Sequence, residues 1–225
     1  MIDLTKLASL NLTDAQKKSA GVFFPKIAAI PFIGSKFETW PQVVAEALIT
    51  NLVRLYSAGV NPAVVAAQMF TESRWFESSV LLGIKASPSD KLAGNDIFRS
   101  TRETVTEQQM EAYKTSGDFL NLVQAFPDGK FDILIKDWFY YPQVNDVYSL
   151  VTLHCARYIK FMEDRATVHG MNLADVKKTV PSFLAFLEDS DPAKGLYAYA
   201  SGSGYTNSII SIIADNGLDA WNPQV

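Results

Sequence analysis

The chain of 225 residues contains one cysteine and two histidines. A lone thiol, Cys155, closes no internal disulfide and supplies no thiolate cluster, and His154 and His169 are too few for a multi-histidine centre. Metal-dependent chemistry is not expected, so neither a metal nor any other cofactor is assigned. Clustered basic charge is missing too. Twenty lysines and arginines stand against 24 carboxylates, a formal net charge of -4, with no block of five or more like charges. Nucleic-acid binding needs Lys and Arg grouped to meet phosphates, so no nucleic-acid partner is expected. No uninterrupted apolar run reaches the roughly 18 residues of a membrane-spanning helix, which argues against stable membrane insertion. Residues 1–21 carry Asp3 early and no continuous apolar stretch, so they do not read as a secretory signal. A target outside a cytoplasm would then need another delivery route.

What is present is ordinary globular material, 48% apolar and 20% charged. The length allows a sizeable core. The pattern reads as a single domain, 1–225, with a β-rich lobe inserted at about 95–140. "TWPQVVAEALITNLVRLYSAG" predicts a helix from near Pro41 to a stop at Gly59, and Asn61 caps the next helix with Pro62 in its first turn. "GIKASPSDKLAGND" reads as loop. "FLNLVQAF" and "KFDILIKDWFYY", separated by "PDG", read as a β-hairpin. Helical patterning returns in "VNDVYSLVTLHCARYIKFMEDRA", "VPSFLAFLED" and "TNSIISIIADNG". The expected class is mainly α (α+β), a helical domain with a small β-hairpin lobe, with a ligand cleft where the two meet.

One stretch departs from the core pattern. Val64 to Ala86, "VVAAQMFTESRWFESSVLLGIKA", reads as one apolar helix whose stripe Val65, Met69, Glu72, Phe76 includes a carboxylate. Desolvation disfavours a charged carboxyl, and a carboxyl that keeps its proton near neutral pH can act as a general acid, most often toward a glycosidic oxygen. The alternative is a structural ion pair with Arg54 or Arg74.

The neighbouring residues favour chemistry. "AAQMFTESRW" followed by "LLGIKA" resembles the A-Q-x-x-x-E-S-G-W and N-L-F-G-I-K-A elements of glycoside hydrolase family 73. "STRE" (Ser100 to Glu103) is similar to the family's T-x-E element and "WFYYP" (Trp138 to Pro142) to its F-R-x-Y-P segment. "YASGSGYTNSIISII" is similar to its C-terminal tyrosine motif, with Tyr199 and Tyr205 at the same spacing. The four elements occur in order over residues 62 to 213. Arg74 and Phe76 stand where the family usually has glycine, and Gly202 replaces an aspartate, so this is a divergent version of the pattern.

The resemblance implies a lysozyme-like domain that cleaves β-1,4 bonds of bacterial peptidoglycan as an endo-β-N-acetylglucosaminidase. It implies Glu72 as general acid, Glu103 as the second carboxylate on a mobile lobe, and Tyr205 lining the cleft. Glu107, four residues on and expected on the same side of a strand, competes with Glu103. Trp75 and Trp138 either stack on sugars or pack in the core, and Tyr199 either binds substrate or packs at the start of the last helix. The expected setting is a monomeric phage lysin acting on the cell wall, delivered by phage lysis machinery or carried on a particle. The alternatives are a lytic transglycosylase or muramidase, and a non-catalytic glycan-binding phage structural protein.

Overall fold

The computed structural model describes residues 12–28, 40–73, 80–176, 179–190, 199 and 204–222. The fold is α+β and mainly helical, and the chain divides into two compact units. One comprises Met1–Leu82 with Val144–Val225, and the other is Gly83–Gln143.

The first unit contains α1 (Asp14–Ala28), α2 (Trp40–Ser57), α3 (Pro62–Glu72), α6 (Val147–Val168), α7 (Val180–Glu188) and α8 (Tyr205–Asn216), with 3-10 turns at Leu173–Asp175 and Leu218–Trp221. Helix α3 is its centre. Every residue from Pro62 to Phe70 is buried, and α2, α7, α8 and the Leu218–Trp221 turn pack around it. A helix enclosed on all sides has to be apolar all round, which the run Pro-Ala-Val-Val-Ala-Ala provides. Its start follows the expected chemistry: Asn61 accepts from the Val64 amide at 3.0 Å, and Pro62 gives up no needed donor. Fully burying Val64, Val65, Met69 and Phe70 contributes roughly 1.5–3 kcal/mol each.

The end of α3 differs from expectation. The helix stops at Glu72, Ser73 caps it with its amide on the Met69 and Thr71 carbonyls, and residues 80–86 are not helical. Val80, Leu81 and Leu82 are buried all the same, so their apolar character came from burial and not from helix. Gly59 ends α2 at φ +86°, with Val60 N donating back to Leu55 O at 2.9 Å. Only glycine fits there, because a Cβ would lie 2.4 Å from the Leu173 carbonyl oxygen. Helix α6 starts from Asp146, whose carboxyl is held below the usual carboxylate range by the Ser149 amide. Near its other end Arg165, 4% exposed, donates to the carbonyls of Phe186, Leu187 and Asp189, closing the C-terminus of α7.

The second unit is more than a hairpin. Strands β2 (Phe119–Ala125) and β3 (Lys130–Tyr140) form the expected antiparallel pair, turned by Pro127-Asp128-Gly129 with Gly129 at φ +78°. A third strand, β1 (Asp96–Thr106), pairs with β3 on its other side, giving the order β1-β3-β2. The segment read as loop contains a short helix, α4 (Pro88–Leu92), started by a reciprocal Ser87–Asp90 capping box. Between β1 and β2 lies α5 (Glu107–Ser116), which covers a small core of Val105, Met110, Ile133 and Ile135 with Tyr113, Phe119 and Phe131 against it. On the other face of the sheet, Asp132 accepts from Thr104 at 2.7 Å and from Arg102 Nε at 2.8 Å. Those two hydrogen bonds hold its carboxyl below the usual range.

Candidate active site

Glu72 is the last residue of α3 and is half-buried. One helical turn earlier on the same face is Gln68, which is 0% exposed. Its amide joins two phenols from distant parts of the chain. The Tyr158 hydroxyl, from α6, donates to Gln68 Oε1 at 2.7 Å, and Gln68 Nε2 donates to the Tyr205 hydroxyl at 3.0 Å. Tyr205 is the first residue of α8. Tyr199 completes the group, its ring centroid 6.1 Å from that of Tyr158, 6.2 Å from Tyr205 and 6.0 Å from Phe161. These tilted and edge-on arrangements suit aromatic quadrupoles.

The electrostatics tie the group to Glu72. Burial is the main cause that pushes all three phenols above their ordinary range. For Tyr158 and Tyr199 the neighbouring tyrosines add to it, and for Tyr205 the Gln68 hydrogen bond partly opposes it. The Glu72 carboxylate contributes an upward push to each of the three. The phenols therefore stay neutral and act as hydrogen-bond groups. With the Tyr158 and Tyr199 hydroxyls donating within the fold, the Glu72 carboxyl and the Tyr205 phenol are the groups of this cluster suited to proton delivery and to hydrogen bonding a neutral polar ligand.

Of the residues singled out from sequence, the first unit brings Glu72, Tyr199 and Tyr205 together. The Tyr199 hydroxyl donates to the Leu82 carbonyl, so that group is engaged with backbone. Gln68 and Tyr158 were not singled out. The signals were a lone amide in an otherwise apolar helix and a phenol on the buried stripe of α6, where a polar tip needs a partner.

Trp75 lies outside the described residues, as do Arg74 and Phe76. Glu103 and Trp138 belong to the second unit. Glu103 is exposed on β1 directly opposite Ile133, near the Tyr113 hydroxyl. Burial first and the Glu103 charge next push that phenol up. Glu107 does not share the strand as expected. Thr106 ends β1 and caps α5 in a reciprocal box with Gln109, with bonds of 2.9 and 3.3 Å, and Glu107 opens the helix. Trp138 is half-buried on β3 opposite Phe98, and its indole N–H donates to Asp118 at 2.8 Å. The Lys91 ammonium lies 4.7 Å from the centroid of its ring. Among the described residues no group of three or more His, Cys, Asp or Glu is placed to hold a metal, and no helix is long and apolar enough to cross a membrane.

No protein-family model matches the chain, and no curated protein matches it in sequence. A solved structure, the catalytic domain of the autolysin Auto from Listeria monocytogenes, aligns with it at a TM-score of 0.46 and 15% identity. The alignment covers 88% of this chain and 93% of that one. At that similarity the reading of the site rests on the residues of this chain.

Proposed function

We propose that this chain is a peptidoglycan hydrolase that cleaves β-1,4 glycosidic bonds, with Glu72 as the general acid. The observation that carries the reading is the Glu72 carboxyl at the end of a helix buried from Pro62 to Phe70, one turn after the buried Gln68 and close enough for its charge to act on Tyr158, Tyr199 and Tyr205. In the reaction Glu72 gives its proton to the leaving glycosidic oxygen as the bond to the anomeric carbon breaks through an oxocarbenium-like transition state. Glu103 serves as the second carboxylate, activating water or stabilising the developing positive charge. Tyr205 donates a hydrogen bond to the sugar, with the acetamido group the natural acceptor. Tyr199 contributes its ring, since its hydroxyl is engaged at Leu82, and Trp138 offers an aromatic surface on the lobe. The resemblance of the four motifs favours an endo-β-N-acetylglucosaminidase.

The test is a turbidity assay on purified cell walls with mass spectrometry of the fragments. Wild-type protein is expected to release fragments ending in reducing N-acetylglucosamine. Reducing N-acetylmuramic acid would reassign it as a muramidase, and 1,6-anhydromuramic acid as a lytic transglycosylase. Glu72→Gln is expected to lower the rate by roughly 10²–10⁴-fold with an unchanged circular dichroism spectrum, since an amide occupies the same space but donates no labile proton. Wild-type protein that releases no fragments, or a Glu72→Gln variant as active as wild type, overturns the proposal.

A further inference from the structure

Gln68 is sealed inside the helical unit, and both ends of its amide are engaged: Oε1 accepts from Tyr158 and Nε2 donates to Tyr205. Direction matters here. A phenol has one proton to give and lone pairs to receive with. As the amide stands, Tyr158 spends its proton on Gln68, and Tyr205 receives and keeps its own proton free. Turned over, the amide would take the Tyr205 proton inward and leave the Tyr158 hydroxyl to find another acceptor. Tyr158 is 0% exposed, with the Tyr199 ring against it and the Tyr199 hydroxyl engaged at Leu82. An O–H sealed from water without an acceptor is costly, so Tyr158 fixes which way the amide faces.

We propose that Gln68 and Tyr158 are positioning residues that form a one-way donor relay, Tyr158 to Gln68 to Tyr205, which leaves the Tyr205 proton to the substrate. The inference rests on the hydrolase reading given above. Gln68 and Tyr158 act through Tyr205 and touch no substrate themselves. It also explains why an amide and not a carboxylate stands at position 68. A glutamate there would accept from both phenols and draw the Tyr205 proton away from the reacting side. Once protonated, the same glutamate would offer one donor and one acceptor and reproduce the amide. Among the described residues, the ionisable groups around the relay are Glu72 on α3, Tyr158 and Arg165 on α6, Tyr205 on α8, and Tyr199.

The experiment compares wild type, Glu72→Gln, Gln68→Glu and Tyr158→Phe on soluble glycan fragments across the pH range. Gln68→Glu is expected to approach wild-type kcat at acid pH and to lose it as pH rises through the new carboxyl's pKa, an extra limb that wild type lacks. Tyr158→Phe, which keeps the ring and loses only the directing hydroxyl, is expected to lower kcat on the order of tenfold with KM nearly unchanged. A Gln68→Glu profile parallel to wild type overturns the relay, and so does a Tyr158→Phe variant with wild-type kcat. If Gln68→Glu does not fold, Tyr158→Phe decides alone. Failure of the underlying reading looks different: wild type and Glu72→Gln would then be equally inactive or equally active.

Discussion

Replacing Tyr158 by Phe has an energetic signature that depends on pH and is readable without substrate. Two effects combine. Near neutral pH the variant loses the hydrogen bond to Gln68 Oε1 and leaves that buried oxygen unsatisfied, a cost of about 1–3 kcal/mol. The second effect comes from titration. Burial holds the Tyr158 phenol neutral in the fold, so its pKa lies above that of the same residue in the unfolded chain. Below about pH 10 both states keep the proton and pH does not matter. Above it the unfolded chain releases its proton while the folded chain does not, and stability falls with rising pH. Between pH 9 and 11 one such tyrosine removes about 1.4 kcal/mol. Tyr199 and Tyr205 shift in the same direction and add to the alkaline loss.

The phenylalanine variant has no proton to lose at position 158. Its deficit is therefore expected to shrink by about 1.4 kcal/mol between pH 9 and 11, so that wild type and variant converge. The assay is urea denaturation followed by circular dichroism at several pH values, with tyrosine ionisation followed by ultraviolet absorbance. Contributions common to both proteins, Cys155 among them, cancel in the difference. Curves that stay parallel from pH 7 to 11 would show that Tyr158 ionises equally in both states, which would refute its burial beside Gln68.

The remaining expectations concern other parts of the molecule. Gly59→Ala should destabilise more than Gly170→Ala. Both positions have positive φ, at +86° and +71°, but only at Gly59 does a Cβ meet a carbonyl oxygen, at 2.4 Å. Left-handed alanine costs about 1–2 kcal/mol at either site, and forcing the overlap adds roughly 1–3 kcal/mol at Gly59; equal urea midpoints would refute the close approach. Burial, opposed slightly by Arg54, pushes the Cys155 thiol up to about 12, so thiol reagents at mildly alkaline pH should label it only on unfolding. Rapid labelling of folded protein would place it at the surface instead. Glu103→Gln is expected to reduce cell-wall hydrolysis more than Glu107→Gln, and a loss confined to Glu107→Gln would move the second-carboxylate role to the helix start.

Much of the framework was legible where local chemistry decides. Asn61-Pro62 announces a helix start because a side-chain acceptor and a missing N–H satisfy the first turn from within the chain. Gly59 announces a stop because a left-handed residue is needed there, and Pro127-Asp128-Gly129 announces a hairpin for a similar reason. The end of α3 was not legible in the same way. Apolar residues continue from Val80 to Leu82, and periodicity cannot tell buried helix from buried irregular chain. A strand was expected around Glu103, but the bounds of β1 were not read, because most of its side chains are exposed and polar on both faces, which erases the alternation that marks a half-buried strand. The Thr106–Gln109 capping box was written in the sequence, but as a helix start it gains meaning only once a strand is known to end there.

The site divides along a similar line. Glu72 could be picked out because a carboxylate in an apolar run is locally anomalous. Gln68 and Tyr158 carry weaker local signals, an amide and a phenol on buried faces, and what joins them is a hydrogen bond spanning 90 positions that no local pattern shows. That difference bears on what each residue can do. A proton donor has to be held within a fraction of an ångström, which demands rotamers locked by packing and a supporting shell. In the proposed role Glu72 draws its support from the helix that carries it, buried from Pro62 to Phe70, with Gln68 one turn earlier and a capped end at Ser73. Glu103 has a different kind of support. It projects from an exposed edge strand, with Ile133 opposite and the Tyr113 phenol nearby. A residue placed that way depends on the substrate or on its own lobe for final alignment. On the proposed mechanism the proton donor accordingly belongs to the folded helical unit, while the second carboxylate's contribution is the part of the reaction that binding has to complete.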